Sequence, residues 1–296
     1  MNMLKFFAVP TALMLLLISC KKTEDSSTGP KINFIFKFDS TQARLNNFGN
    51  PSSIPPGHAA QSPVFNSMSA HYVELTQDAL TAIGSGAILY RAPETTAGGS
   101  NAIDFGQSTF AGNGQAFLSV PINSMSPGSY NWLRVSLAYQ NYDIKFKYNA
   151  VNLSGTIASF IGFNTYIRDY KVKDSGISVN GNRLQGYWAF ETSYLGFGAV
   201  SSGQAPAGAT TVPNPLQSTS PIPPGSCVVT GQFATPLTIT GSETSDITII
   251  VSLSTNKSFE WIDNDGNGTY DPVDAAGAPL DAVIDMGVRG LIPVKQ

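Results

Sequence analysis

The stretch KINFIFKFD, residues 31 to 39, sets Ile32, Phe34, Phe36 and Phe38 on one side of the chain and Asn33, Ile35 and Lys37 on the other. An extended chain turns successive side chains to opposite faces, so an apolar period of two predicts a strand with one buried face. The pattern returns in SYNWLRVSLAYQ (129 to 140), YDIKFKYNAV (142 to 151) and RLQGYWAFETSYLGF (183 to 197). It returns again in SDITIIVSLS (245 to 254), where Ile247, Ile249, Val251 and Leu253 share a side. Gly, Pro and Asn lie between these runs, and repeated strands with such turns predict an all-β fold, an antiparallel β-sandwich or barrel. Two stretches are ambiguous: VELTQDALTAIG (73 to 84) fits a short helix only in part, and LSGTIASFIGFNTYIRDY (153 to 170) suits either type. No repeat of fixed period is visible.

The 296 residues are 42% hydrophobic, enough for a sizeable core in one large domain or two small ones. A net charge of −3 with scattered Lys and Arg offers no basic face, which argues against a nucleic-acid partner. The stretch SSGQAPAGATTVPNPLQSTSPIPPGS (201 to 226) is rich in Pro, Ser, Thr and Gly and reads as a linker or long exposed loop. The expected division is therefore a β-sandwich domain at 31 to 200 and a smaller C-terminal β unit at 227 to 296. A unit of about 70 residues has a marginal core, and natural domains of that size often add a metal.

The first twenty residues, MNMLKFFAVPTALMLLLISC, place Lys5 before an apolar run from Phe6 to Ile18. That is an export signal, too short and wrongly flanked to span a membrane. Its end, Leu17-Ile18-Ser19-Cys20, resembles the lipobox of bacterial lipoproteins. The resemblance implies a signal peptide at 1 to 19 and lipidation of Cys20, which would join the protein to a membrane through its N-terminal lipid. Residues 20 to 30 then read as a polar tether. Lys21-Lys22 followed by Glu24-Asp25 is similar to the short charged signals of surface-exported lipoproteins, and no Asp stands at position 21 as an inner-membrane retention signal would have it. The expected location is the outer membrane of a Gram-negative cell, with the periplasmic or surface face left open. Cys20 being the anchor, Cys227 has no partner, and its place at the start of an apolar run predicts burial as a small hydrophobe.

The chain is only 12% charged, yet DNDGNGTYDPVD (263 to 274) crowds four aspartates into one stretch. Counted as a calcium loop, Asp263, Asp265, Asn267, Thr269, Asp271 and Asp274 fall on the ligand positions of the EF-hand, with Gly268 where the sharp turn is needed. A hard dication needs six to eight oxygens, and alternate residues of a tight loop supply them. Pro272 opposes a following helix, and SFEWID before the loop reads as a strand. The loop thus resembles the DxDxNGxxD calcium loops of extracellular bacterial modules, carried on β structure. The same residues also suit a metal-free hairpin turn.

A second constellation is His58, His71, Glu74 and Glu94, which by residue type can hold a transition metal such as copper. SAHYVEL and SPGSYNWLRVSLAY resemble the MbnP-like β-sandwich proteins of bacterial envelopes, some of which hold copper, and the resemblance would make His58 and His71 ligands. An exposed loop histidine and a strand-end histidine with a local hydrogen bond is the plainer alternative. No GxSxG, HExxH, P-loop or dinucleotide-binding glycine motif appears, so no catalytic residue is assigned and the chain is read as non-enzymatic. Trp132, Trp188 and Trp261 leave open a glycan-stacking surface. The expectation is an envelope lipoprotein with a structural calcium site, binding an unidentified small molecule, glycan or protein; the alternatives are a transition-metal-binding and a glycan-binding envelope protein.

Overall fold

The computed structural model describes residues 29–82, 84–205 and 227–296. The expected signal peptide at 1 to 19, Cys20, most of the expected tether and the greater part of the 201–226 stretch lie outside the described residues. The strands run β1 (Lys31–Asp39), β2 (His58–Gln61), β3 (Val64–Thr76), β4 (Ala87–Arg91), β5 (Glu94–Thr95), β6 (Ala102–Asp104), β7 (Gln115–Pro121), β8 (Gly128–Tyr148) and β9 (Val151–Phe160). They continue with β10 (Asn164–Lys171), β11 (Gly176–Leu184), β12 (Tyr187–Tyr194), β13 (Phe197–Gln204), β14 (Cys227–Ile239), β15 (Ile247–Ser254), β16 (Phe259–Ile262), β17 (Ala282–Met286) and β18 (Leu291–Lys295). Among the described residues the helical content is two 3₁₀ turns, Phe105–Gln107 and Ile122–Ser124. The fold is all-β and of sandwich type, as the period-two runs predicted.

One layer is the sheet β18-β15-β1-β7, whose centre is the parallel pair β1 and β15 with Ile32 opposite Ile247 and Phe36 opposite Val251. The alternation read in both segments is real: Ile32, Phe34 and Phe36 are wholly buried, as are Ile249, Val251 and Leu253. Each such side chain taken out of water contributes about 1.5–3 kcal/mol. The facing layer is a larger sheet built around β8, with β3 along one side and β14, then β9, along the other. Beyond β9 come β12 and β13, and beyond β3 comes β4. Phe38 meets Phe65 at 5.6 Å and Tyr90 meets Phe117 at 5.1 Å, joining the layers through one core. At one edge Gly231 of β14 lies so close to β18 that a Cβ there would stand 2.4 Å from the Leu291 carbonyl oxygen. The absence of a side chain is what lets the two backbones approach.

The far half of the large sheet is covered on both faces. Tyr139, Ala158, Phe160 and Tyr187 pack on Ile167 and Tyr170 of the sheet β11-β10-β6-β5. Ile144 and Ile157 look the other way, toward the three-stranded sheet β17-β16-β2. Double cover buries β8 around Tyr139 to Tyr142, and farther upstream Arg134 is closed over by Glu74 and the carbonyls of Ala79 and Thr81. The 21-residue strand is therefore buried continuously from Leu133 to Tyr142, where alternation predicted one wet face.

Several expectations are corrected. VELT of the ambiguous 73–84 stretch ends strand β3, and the 153–170 stretch forms β9 and β10. Strand β13 continues through Gln204, inside the stretch read as a linker from 201. The strands of 227–296 do not form a unit of their own: β14 pairs β8, β15 pairs β1, and β16 pairs β2. Periodicity announces that a strand has a buried face but not which strand it pairs with, so a Pro-rich interval was mistaken for a boundary between cores.

Candidate functional site

The acidic loop spans the interval between β16 and β17, which are antiparallel with Ile262 opposite Ala282. That register decides the site. Asp263 follows the last residue of β16 and Asp281 precedes the first of β17, so the two stand opposite each other at the root of the loop. Gly266 and Gly268 take φ of +70° and +73°, left-handed values that glycine adopts without a Cβ clash, and they fold Asp265 back onto the pair. Carboxylate oxygens of Asp263, Asp265 and Asp281 all lie within 4.8 Å of one another, the one such group of metal-ligating side chains among the described residues.

Each acid is held by the loop itself. Asp263 Oδ2 accepts from the Gly268 N–H at 2.9 Å, while its Oδ1 is buried without a hydrogen-bond partner. Asp281 accepts from the N–H groups of Asn264 at 3.1 Å and Asp271 at 2.8 Å. Asn267 donates through Nδ2 to Asp265 at 2.7 Å and to Asp271 at 2.6 Å, and accepts from the Thr269 N–H at 2.6 Å. Burial raises the pKa of Asp281; the two N–H donors oppose that shift, and the Asp265 and Asp263 carboxylates reinforce it. Three acids converging with one buried lone pair unanswered is an environment that a cation relieves.

The donor set contains oxygen alone, which suits a hard cation such as Ca²⁺ over a softer transition metal. Of the six positions expected from the loop pattern, Asp263 and Asp265 belong to the cluster, and Asn267 and Asp271 border it. Thr269 serves the turn, and Asp274 does too: its Oδ1 accepts from the N–H groups of Ala276 and Ala278 at 2.8 and 2.9 Å, closing a separate bend. Asp281 was missed because it falls outside the twelve-residue pattern. The signal that finds it is the hairpin, since reading AVIDM as the return strand of SFEWID places Asp281 across from Asp263.

The second constellation does not assemble into one site. His71 is fully buried, its Nε2 2.8 Å from Glu94 Oε1 and its ring against Tyr72 and Phe163. Burial lowers the His71 pKa against the pull of Glu94, which favours the neutral ring. Glu94 is further bound by Arg91 at 2.7 Å and Asn101 at 2.9 Å; although burial raises its pKa, these partners and His71 bring it down to about 2. Glu74, three residues along the same strand, accepts from the N–H groups of Gly84 and Gly86 and faces Arg134. His58 turns instead to Glu260 at 2.5 Å.

Glu260 belongs to a buried ionic group that the sequence did not announce. It is bound by Arg44 and His58, approached by Arg289 at 3.7 Å, and sits directly across the ladder from Asp285. Burial pushes the Asp285 pKa up to about 7 despite Arg289 Nε at 2.9 Å. Cys227 is wholly buried, and burial pushes its thiol up to about 12, as expected of a cysteine that serves as a small hydrophobe. The three tryptophans form no common stacking surface: Trp261 is 1% exposed within the core, and Trp188 lines a cleft described below.

Comparison with protein-family models, curated proteins and solved structures found no match in any of the three.

Proposed function

We propose that this protein is a lipid-anchored, non-enzymatic module of the bacterial outer membrane whose β16–β17 loop binds a structural calcium ion. The observation that carries the calcium reading is the convergence of Asp263, Asp265 and Asp281, with one carboxylate oxygen of each within 4.8 Å of the others, at a place where Asp263 Oδ1 is buried without a hydrogen-bond partner. The ligands are local and close the root of a hairpin, so the ion's work is to hold β16 and β17 in register against the repulsion of three acids. The anchor reading is supported by the sequence Leu17-Ile18-Ser19-Cys20.

Calorimetric titration of CaCl₂ into the soluble form, residues 21–296, tests the calcium reading. Extracellular loops bind in the range of about 10⁻⁴ to 10⁻³ M, so the titration must reach about 10 mM. Saturable binding is expected, and Asp263→Ala with Asp265→Ala removes it. A flat titration of the wild type rejects the proposal.

A further inference from the structure

Between the far half of the large sheet and the three-stranded sheet lies a cleft of about 470 Å³. One wall carries Phe146, Trp188 and Phe190; the other carries Phe259, Tyr270 and Met286. On the first wall Phe146 and Phe190 meet edge to face at 5.3 Å, and on the second Phe259 and Tyr270 do so at 5.1 Å. Edge-to-face pairs leave ring faces free to stack on a third ring. The polar side chains of the lining are Ser201 and Gln204 on the β13 side, the Tyr270 hydroxyl and the Trp188 indole N–H, and among the described residues no charged side chain contributes to it.

We propose that this cleft binds an uncharged, apolar small molecule carrying a flat ring. The volume falls in the roughly 300–1,000 Å³ range of small-molecule sites and is far too small for a protein partner. The uncharged lining would strip a charged ligand of its water without returning an ion pair, so it selects neutral molecules. The opposed aromatic walls supply stacking, and Ser201 and Gln204 can hydrogen-bond one polar substituent at the mouth. Tyr270 and Pro272 come from the acidic loop, so that loop forms part of one wall. The ligand proposal stands without the calcium reading, whose failure would show in the CaCl₂ titration alone.

The probe is N-phenyl-1-naphthylamine, a neutral fluorophore of one naphthyl and one phenyl group, set beside 1-anilinonaphthalene-8-sulfonate, which has the same rings and a negative charge. Saturable emission is expected with the neutral probe, and weaker binding with the sulfonate. Ser201 lies on the edge strand β13, exposed and directly opposite Phe190 in the ladder, so Ser201→Trp fills the mouth without entering the core. Ser201→Trp and Phe190→Ala should each weaken the neutral probe about tenfold. Unchanged melting of Ser201→Trp separates loss of the site from loss of the fold. No saturable binding overturns the proposal, as does equal binding of both probes that neither variant alters. It is overturned too if sedimentation shows the cleft occupied by a second copy of the chain, with Ser201→Trp restoring monomers.

Discussion

Asp281→Ala and Asp274→Ala separate the loop read from its sequence pattern from the site set by strand register. Asp281 accepts two backbone N–H bonds while 7% exposed, and hydrogen bonds to a charged group are worth about 1.5–3 kcal/mol each. Its removal should therefore cost about 3 kcal/mol in lost hydrogen bonds before any calcium is added, offset in part because the repulsion from Asp263 and Asp265 is relieved. Asp274 also accepts two N–H bonds, but in an exposed bend where water replaces them, so its loss should cost about 1 kcal/mol. The deciding quantity is the increment each variant gains from calcium, because the basal loss cancels when a variant is compared with itself. At 10 mM calcium and a dissociation constant of about 10⁻⁴ to 10⁻³ M, mass action gives the wild type about 1.4–2.7 kcal/mol. That corresponds to about 3–10 °C in melting temperature for a chain of this size. Thermal melts with 10 mM CaCl₂ and with excess chelator should show the full increment in Asp274→Ala and none in Asp281→Ala. An increment lost in Asp274→Ala and kept in Asp281→Ala would refute the register argument.

Cys20→Ser should leave the protein unlipidated, soluble or as uncleaved precursor, and membrane retention at unchanged mobility would sink the lipoprotein reading. Cys227 should react with a thiol reagent only at the rate of unfolding; fast labelling of the native protein would contradict its burial. Gly231→Ala should cost about 1–3 kcal/mol in denaturant unfolding, since the new methyl meets the Leu291 carbonyl and β14 must part from β18; an unchanged midpoint would mean the strands are not so close. Asp285 is faced by Arg289, Arg44 and Glu260, with His58 beyond Glu260, and Tyr142 and Cys227 feel its charge. Its folded pKa of about 7 lies above the ordinary 3.8, so the stability it contributes is complete below about pH 4 and lost as pH rises through 7. Asp285→Asn lacks that loss, and wild-type melts from about pH 5 to pH 8 should fall relative to the variant; a difference independent of pH would count against it.

Which side chains each segment buries is written locally along the chain. Ile32, Phe34 and Phe36 alternate because only a pleated strand puts them on one face, and that face is the core. The glycines of the acidic loop and the apolar start of β14 were legible for the same reason: backbone preference and side-chain polarity act locally. Tertiary structure alone decided partnership. That β1 lies beside β15, more than two hundred residues away, follows from how two apolar faces close on one another, and any of several strands with the same alternation satisfies the local rule. Asp281 faces Asp263, His71 faces Glu94 and His58 faces Glu260 because ladder registers and loop paths put them there. Spacing along the chain could gather six loop positions into a calcium pattern, but a cation is held by distances in space, and those were set by the strand that comes back.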